Sequence, residues 1–279
     1  MTSLSFNRKK LAATILAVFV LFNLCGCADY EPTKPTPEAA KQFLKLRGYD
    51  YDEKSFLSAA KASDLLAVNA FLAAGIDPNA KALDGGATAL ISAASRGDLN
   101  IVNPLIKGGA DVNRKDEGGG TALLRALEHK EDEVADALLA RPELDVNAQG
   151  GNGVTALIRC VWSNREDCVT QLLERGAKVE VQDAGGETAL HGAAQTGNVK
   201  IVQMLLGKGA NPNTQNKVGG TPLMWAAVYD REEVARILLE KGADPGLKDE
   251  DGLTASAWAA KNKRDEMVQL LSEAMKKRR

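Results

Sequence analysis

The chain has 279 residues, 44% of them apolar and 26% charged. That balance builds globular domains larger than those needing disulfide or metal support. Aromatics make up only 5%, while Ala, Leu and Gly are abundant, which suits close packing of short helices better than one large central core. The formal charge of −2 does not suggest a nucleic-acid binder.

Residues 1–27 read as an address. Arg8, Lys9 and Lys10 form a basic start, Leu11 to Phe22 an apolar run too short to span a bilayer comfortably, and Leu24-Cys25-Gly26-Cys27 a small-residue processing site. Leu24, Gly26 and Cys27 resemble the bacterial lipobox, Leu-x-Gly-Cys. The resemblance implies cleavage before Cys27, lipidation of its sulfur and tethering by acyl chains without a spanning helix. Cys25 matches less well, and a plain cleaved signal peptide is the alternative. Ala28 rather than Asp after the cysteine implies the outer membrane over the inner, facing the periplasm. Loss of the three cations leaves 32 basic against 37 acidic residues, a charge of −5.

Residues 28–37 carry Pro32, Pro35 and Pro37 and read as an extended spacer. From Glu38 a helical pattern with Phe43, Leu44 and Leu46 resumes, and Gly48 supplies a stop. Residues 38–53 are therefore expected to form an N-terminal cap on the rest of the chain.

From residue 54 onward the sequence is self-similar. Thr88, Thr121, Thr155, Thr188, Thr221 and Thr254 recur at separations of 33, 34, 33, 33 and 33 residues. A glycine stands two positions before each and a leucine seventeen after, and position five holds Ala93, Ala126, Cys160, Ala193, Ala226 or Ala259. Counting back from Thr88 reaches Ser55 and a degenerate first unit. The units are 54–82, 83–115, 116–149, 150–182, 183–215, 216–248 and 249–279.

Within a unit, glycine permits a tight turn, threonine caps a short first helix, and small alanines let a second helix approach closely. Ile201, Val202, Leu205 and Leu206 show the second helix's apolar stripe, and Gly209-Ala210-Asn211-Pro212-Asn213 ends it. One such pair cannot bury its apolar face alone, so neighbours must stack. The stretch from Gly186-Glu187-Thr188-Ala189-Leu190-His191 through Leu205-Leu206-Gly207-Lys208-Gly209-Ala210-Asn211 resembles an ankyrin repeat almost position for position. That implies an all-α ankyrin-repeat solenoid of helix-turn-helix units with short β-hairpin turns. In the third unit Arg141-Pro142-Glu143-Leu144 replaces the glycine turn and should reshape the loop. The last unit has Ser256 for the usual leucine and a polar end, Lys276 to Arg279.

The resemblance also implies that hairpin tips and first helices line a protein-binding concave face. Four positions after the threonines stand Ser92, Arg125, Arg159, Gly192, Trp225 and Trp258; eight after stand Arg96, His129, Ser163, Thr196, Tyr229 and Asn262; Trp162 is at position seven. Trp162, Trp225, Tyr229 and Trp258 are expected to form a discontinuous aromatic binding strip, with Arg96, Arg125, Arg159 and His129 beside it. The competing readings are rings packed between repeats and a merely solvated basic lane.

Nothing in the sequence points to catalysis. His191 occupies the family's turn position, and His129, near Glu128, Glu131 and Asp132, reads as a charged helix end rather than a metal ligand. No phosphate loop or nucleophile motif appears. Cys160 and Cys168 should both face the core; buried free thiols are the default reading and a disulfide the alternative. The expectation is therefore a monomeric, membrane-tethered module of the bacterial envelope that binds a protein partner, without cofactor, metal or nucleic acid. An envelope scaffold and an immunity or inhibitor protein against a secreted toxin are the alternatives.

Overall fold

The computed structural model describes residues 35–277. The chain clusters into two compact units, one reaching Leu138 and the other starting at Leu139.

The first unit opens with α1 (Pro37–Leu46), followed by α2 (Glu53–Lys61), α3 (Leu65–Ala73), α4 (Ala89–Ala94), α5 (Leu99–Lys107), α6 (Ala122–His129) and α7 (Asp132–Leu139), whose last residue lies beyond the division. Helix α1 starts one residue earlier than the proline spacing suggests, because Thr36 accepts the Ala39 N–H on its side chain and Pro37 takes the first helical position. It stops at Leu46, before Gly48 at φ +84°, so residues 47–52 connect rather than extend it. Its apolar side packs on α3, where Tyr49, Tyr51 and Phe56 surround Phe71 with ring centroids 5.9, 6.3 and 5.7 Å away. This aromatic plug closes the first pair, α2 and α3.

The second unit contains α8 (Ala156–Trp162), α9 (Glu166–Glu174), α10 (Ala189–Thr196), α11 (Val199–Gly207), α12 (Pro222–Val228), α13 (Glu232–Glu240), α14 (Ala255–Lys261) and α15 (Asp265–Lys277). First helices α8, α10, α12 and α14 pack in one row, and second helices α9, α11, α13 and α15 in another. The close approach is made by residues without bulk: Ala193, Ala194, Ala226, Ala227 and Ala259 are fully buried.

The recurring threonines do what their backbone position requires. Thr88, Thr121, Thr155, Thr221 and Thr254 are extended N-caps, each accepting the N–H three residues on at 3.3 Å. Each such cap contributes about 1 kcal/mol. At Thr188 the turn is closed by histidine instead. The Thr188 N–H donates to His191 Nδ1 at 3.1 Å, which leaves Nε2 protonated and donating to the Gly220 carbonyl at 3.1 Å. Burial holds that ring below the ordinary histidine range and neutral, outweighing the Gly220 carbonyl, whose bond favours the charged form.

No sheet forms among the described residues. The expected β-hairpins reduce to turns, with isolated bridges only at Lys81–Thr88 and Gln149–Thr155. Five positions before the threonine, Asp116, Asp183, Asn216 and Asp249 accept backbone N–H groups of their own turn at 2.7–2.9 Å. The bridges occur where Leu83 and Gly150 stand at that position instead and offer no side-chain acceptor. Successive turns are tied by backbone bonds: Glu117 to Gly85 in the first unit, and Ala184 to Asn152, Lys217 to Gly185 and Glu250 to Val218 in the second. A second ladder uses both ends of one amide. Asn147 Oδ1 accepts from Lys178 N–H while its Nδ2 donates to the Gly176 carbonyl, and Asn213 does the same with Asp244 and Gly242.

The loop at 141–144 is closed by a residue the sequence pattern does not mark. The Arg175 guanidinium donates to the carbonyls of Leu139, Arg141 and Leu144, gathering acceptors that a glycine turn would otherwise have arranged. Cys160 and Cys168 correct the default expectation: their sulfurs are bonded, with Cα atoms 5.9 Å apart. The bond joins the first helix of one unit to its second, at fully buried positions.

Candidate protein-binding surface

The two arginine candidates of the first unit are already engaged by their own fold. Arg96 donates to the Ser92 carbonyl at 2.8 Å and to the Ala60 carbonyl at 2.9 Å, capping the end of α2. Arg125 lies between Asp116, 2.7 Å away, and Glu128, 2.8 Å away. Burial works against its charge, yet the bonds to Asp116 and Glu128 outweigh it and its pKa is raised. Gly118 and Gly120 make room for it, since a Cβ on Gly120 would clash with its Nε. His129 is exposed at the end of α6. Arg96 and Arg125 are thus tied to carbonyls and carboxylates of their own fold rather than free beside the aromatic rings.

The second unit presents the aromatic residues. Trp162 is 37% and Tyr229 39% exposed. Trp162 lies over α10 because position 192 is glycine: a Cβ there would stand 2.8 Å from the indole Cδ1 and Nε1. Arg159 covers the same ring at 5.6 Å from its centroid, in cation–π range. Tyr229 follows Trp225 by one turn, and their centroids are 5.9 Å apart. Trp162, Tyr229, Gln195, Thr196 and Arg231 together line an open depression of about 440 Å³, and Arg231 is held there by donating to the Gln195 carbonyl at 3.1 Å.

Trp225 and Trp258 are partly buried, between the two readings the sequence left open. The Trp225 indole N–H is buried without an acceptor. The Trp258 N–H donates to Asp249 Oδ2 at 2.6 Å, and Lys261 Nζ lies 4.5 Å from the ring centroid. The aromatic candidates thus divide between the depression and a separate cleft at Trp225 and Trp258.

A family profile for ankyrin repeats matches three times, over residues 56–150, 157–249 and 190–278. The chain belongs to the ankyrin-repeat family. Its fold is an all-α ankyrin-repeat solenoid, and ankyrin repeats mark it as a protein–protein interaction module. An ankyrin repeat domain from Acinetobacter baumannii AYE, solved at 1.00 Å, is 28% identical and superposes with a TM-score of 0.60, covering 66% of this chain and 96% of that one. The ankyrin repeat domain of Bcl-3, described as a unique member of the IkappaB protein family, is 29% identical with a TM-score of 0.63, covering 77% of this chain and 97% of that one. No curated protein matches the sequence.

Within the ankyrin frame, sequence reasoning missed the residues that aim the candidate side chains. Asp116 and Asp249, five positions before the threonine, hold Arg125 and Trp258 four positions after it. A legible signal existed, because Asp or Asn recurs there at 116, 183, 216 and 249. Cys27 lies outside the described residues. Among those described, no helix is long and apolar enough to cross a membrane and no cluster of three or more ligating side chains could hold a metal.

Proposed function

We propose that this ankyrin protein is a lipid-tethered binding module of the bacterial cell envelope that grips a partner protein through the aromatic first-helix face of its second unit. The observation that carries the reading is the exposed pair Trp162 and Tyr229 sharing one depression with Gln195, Thr196 and Arg231. Large rings held in place dominate binding energetics because they bury much area at low entropic cost. Glycine at 192 and the tilted ring contact with Trp225 provide that rigidity here.

Two features support envelope placement. The Leu24-x-Gly26-Cys27 pattern provides an acyl anchor on Cys27, facing the periplasm, with the outer membrane favoured. A buried Cys160–Cys168 disulfide belongs to the chemistry of oxidising compartments. The working unit is a monomer that uses no cofactor and performs no catalysis.

Trp162→Ala/Tyr229→Ala tests the binding face. Both side chains are substantially exposed, so the melting temperature should hold while a partner cross-linked to wild-type protein in intact envelopes is lost. Retention of that partner by the double variant refutes the face. Labelled palmitate should enter wild-type protein but not Cys27→Ser; equal labelling refutes the anchor.

A further inference from the structure

Between α12 and α14 the second unit opens a cleft of about 420 Å³. Its walls are apolar, made by Val218, Met224, Val228 and the rings of Trp225 and Trp258. Val218 stands 58% exposed at the tip of its turn. The polar edge is acidic: Asp249, Glu250 and Asp251 line it, and no basic side chain among the described residues does.

These two halves ask for different things of an occupant. Aliphatic and indole surface favours a hydrocarbon stem, whereas carboxylates at the lip repel anions and gain from a cation. Lysine and arginine combine both, since their stems lie along apolar surface while the charged head stays near water. The protein makes the same contact internally, with Lys261 over Trp258 at 4.5 Å and Arg159 over Trp162 at 5.6 Å.

The cleft is also set in advance. Asp249 spends its oxygens on the Trp258 indole and the Leu253 N–H, which fixes the ring. The turn carrying Glu250 is tied to its neighbour through the Glu250 N–H and the Val218 carbonyl at 3.1 Å. Glu250 and Asp251 are both exposed, so the charges that would meet a cation are already in place.

We infer that this cleft seats an arginine or lysine side chain from a basic segment of the partner protein, its stem against Met224, Val228 and the two indoles and its charge at Glu250 and Asp251. This rests on the protein-binding reading and narrows the partner's chemistry.

The test selects a displayed random-peptide library on the immobilised full chain in detergent. Recovered peptides should share an arginine or lysine, and synthetic copies should bind Glu250→Gln/Asp251→Asn roughly fivefold or more weakly, and more weakly still at high salt. Replacing the basic residue by norleucine should cause a similar loss on wild-type protein and little further loss on the charge variant. Unchanged melting of that variant, whose substitutions are isosteric and exposed, separates binding from folding. Equal binding to the charge variant, or equal binding of the norleucine peptide, overturns the cleft. Peptides lost only on Trp162→Ala/Tyr229→Ala would refute the cleft and leave the protein-binding face standing. Recovery of no peptide overturns the cleft and also counts against the binding face.

Discussion

Replacing Cys160 by Ala and Cys168 by Val removes the cross-link while keeping side chains that the repeat itself uses. Alanine stands at the position of Cys160 in every other unit of the frame, and Ile101, Val134, Ile201 and Val234 stand at that of Cys168. Volume-conserving apolar swaps of this kind usually cost less than about 1.5 kcal/mol. The bond closes a separation of eight residues. Denying the unfolded chain the freedom of a loop that short corresponds to about 2.5 kcal/mol in the chain-entropy account. For a chain of this size that is a fall of roughly 5–10 °C in melting temperature. The assay is thermal unfolding by circular dichroism in a Cys25→Ser/Cys27→Ser background, with and without dithiothreitol. The oxidised background protein should melt highest, reduction should lower it towards the double variant, and the variant should ignore reductant. A background protein that titrates two free thiols when denatured without reductant, or melts identically in dithiothreitol, refutes the reasoning.

Gly192→Ala should keep the fold, because alanine favours the helix by about 1 kcal/mol. Its Cβ, however, displaces the Trp162 ring now 2.8 Å away. A changed indole signal with weaker partner binding at near-constant melting is the expected result. Arg175→Met leaves the carbonyls of Leu139, Arg141 and Leu144 without their donor. That should cost about 3 kcal/mol in chemical denaturation and speed hydrogen exchange around residues 139–149. The depressed pKa of His191 means the unfolded chain takes up its proton first as pH falls. Its contribution is present above about pH 6.5 and lost as pH drops through the folded value. His191→Gln should flatten that part of the stability profile; a wild-type profile equally flat between pH 7 and 5 counts against a neutral, buried ring.

Legibility differed by level. The fold is written in local chemistry repeated at one period: a turn residue that tolerates positive φ, such as Gly186 at +80° and Gly219 at +76°, a threonine that caps, and alanine where helices meet. The Asx of the turn and the bridging asparagines were equally periodic, yet the asparagines' partners lie about 30 residues away, so spacing marks them without saying what they touch. Trp162 was visible as a large ring on a first helix. Its exposed setting depended on Gly192 in the next unit, a pairing that no within-unit pattern encodes.

By itself, the sequence determined the ankyrin architecture, because each unit's turn, cap and apolar stripe are short-range consequences of residue type. Only the tertiary structure decided what the side chains of that frame are free to do. It committed Arg96 and Arg125 to the fold, joined Cys160 to Cys168, left Trp162 and Tyr229 exposed, and set Trp225 and Trp258 beside carboxylates. The reason is that availability for binding depends on which neighbour satisfies a group first, and those neighbours arrive from the adjacent repeat.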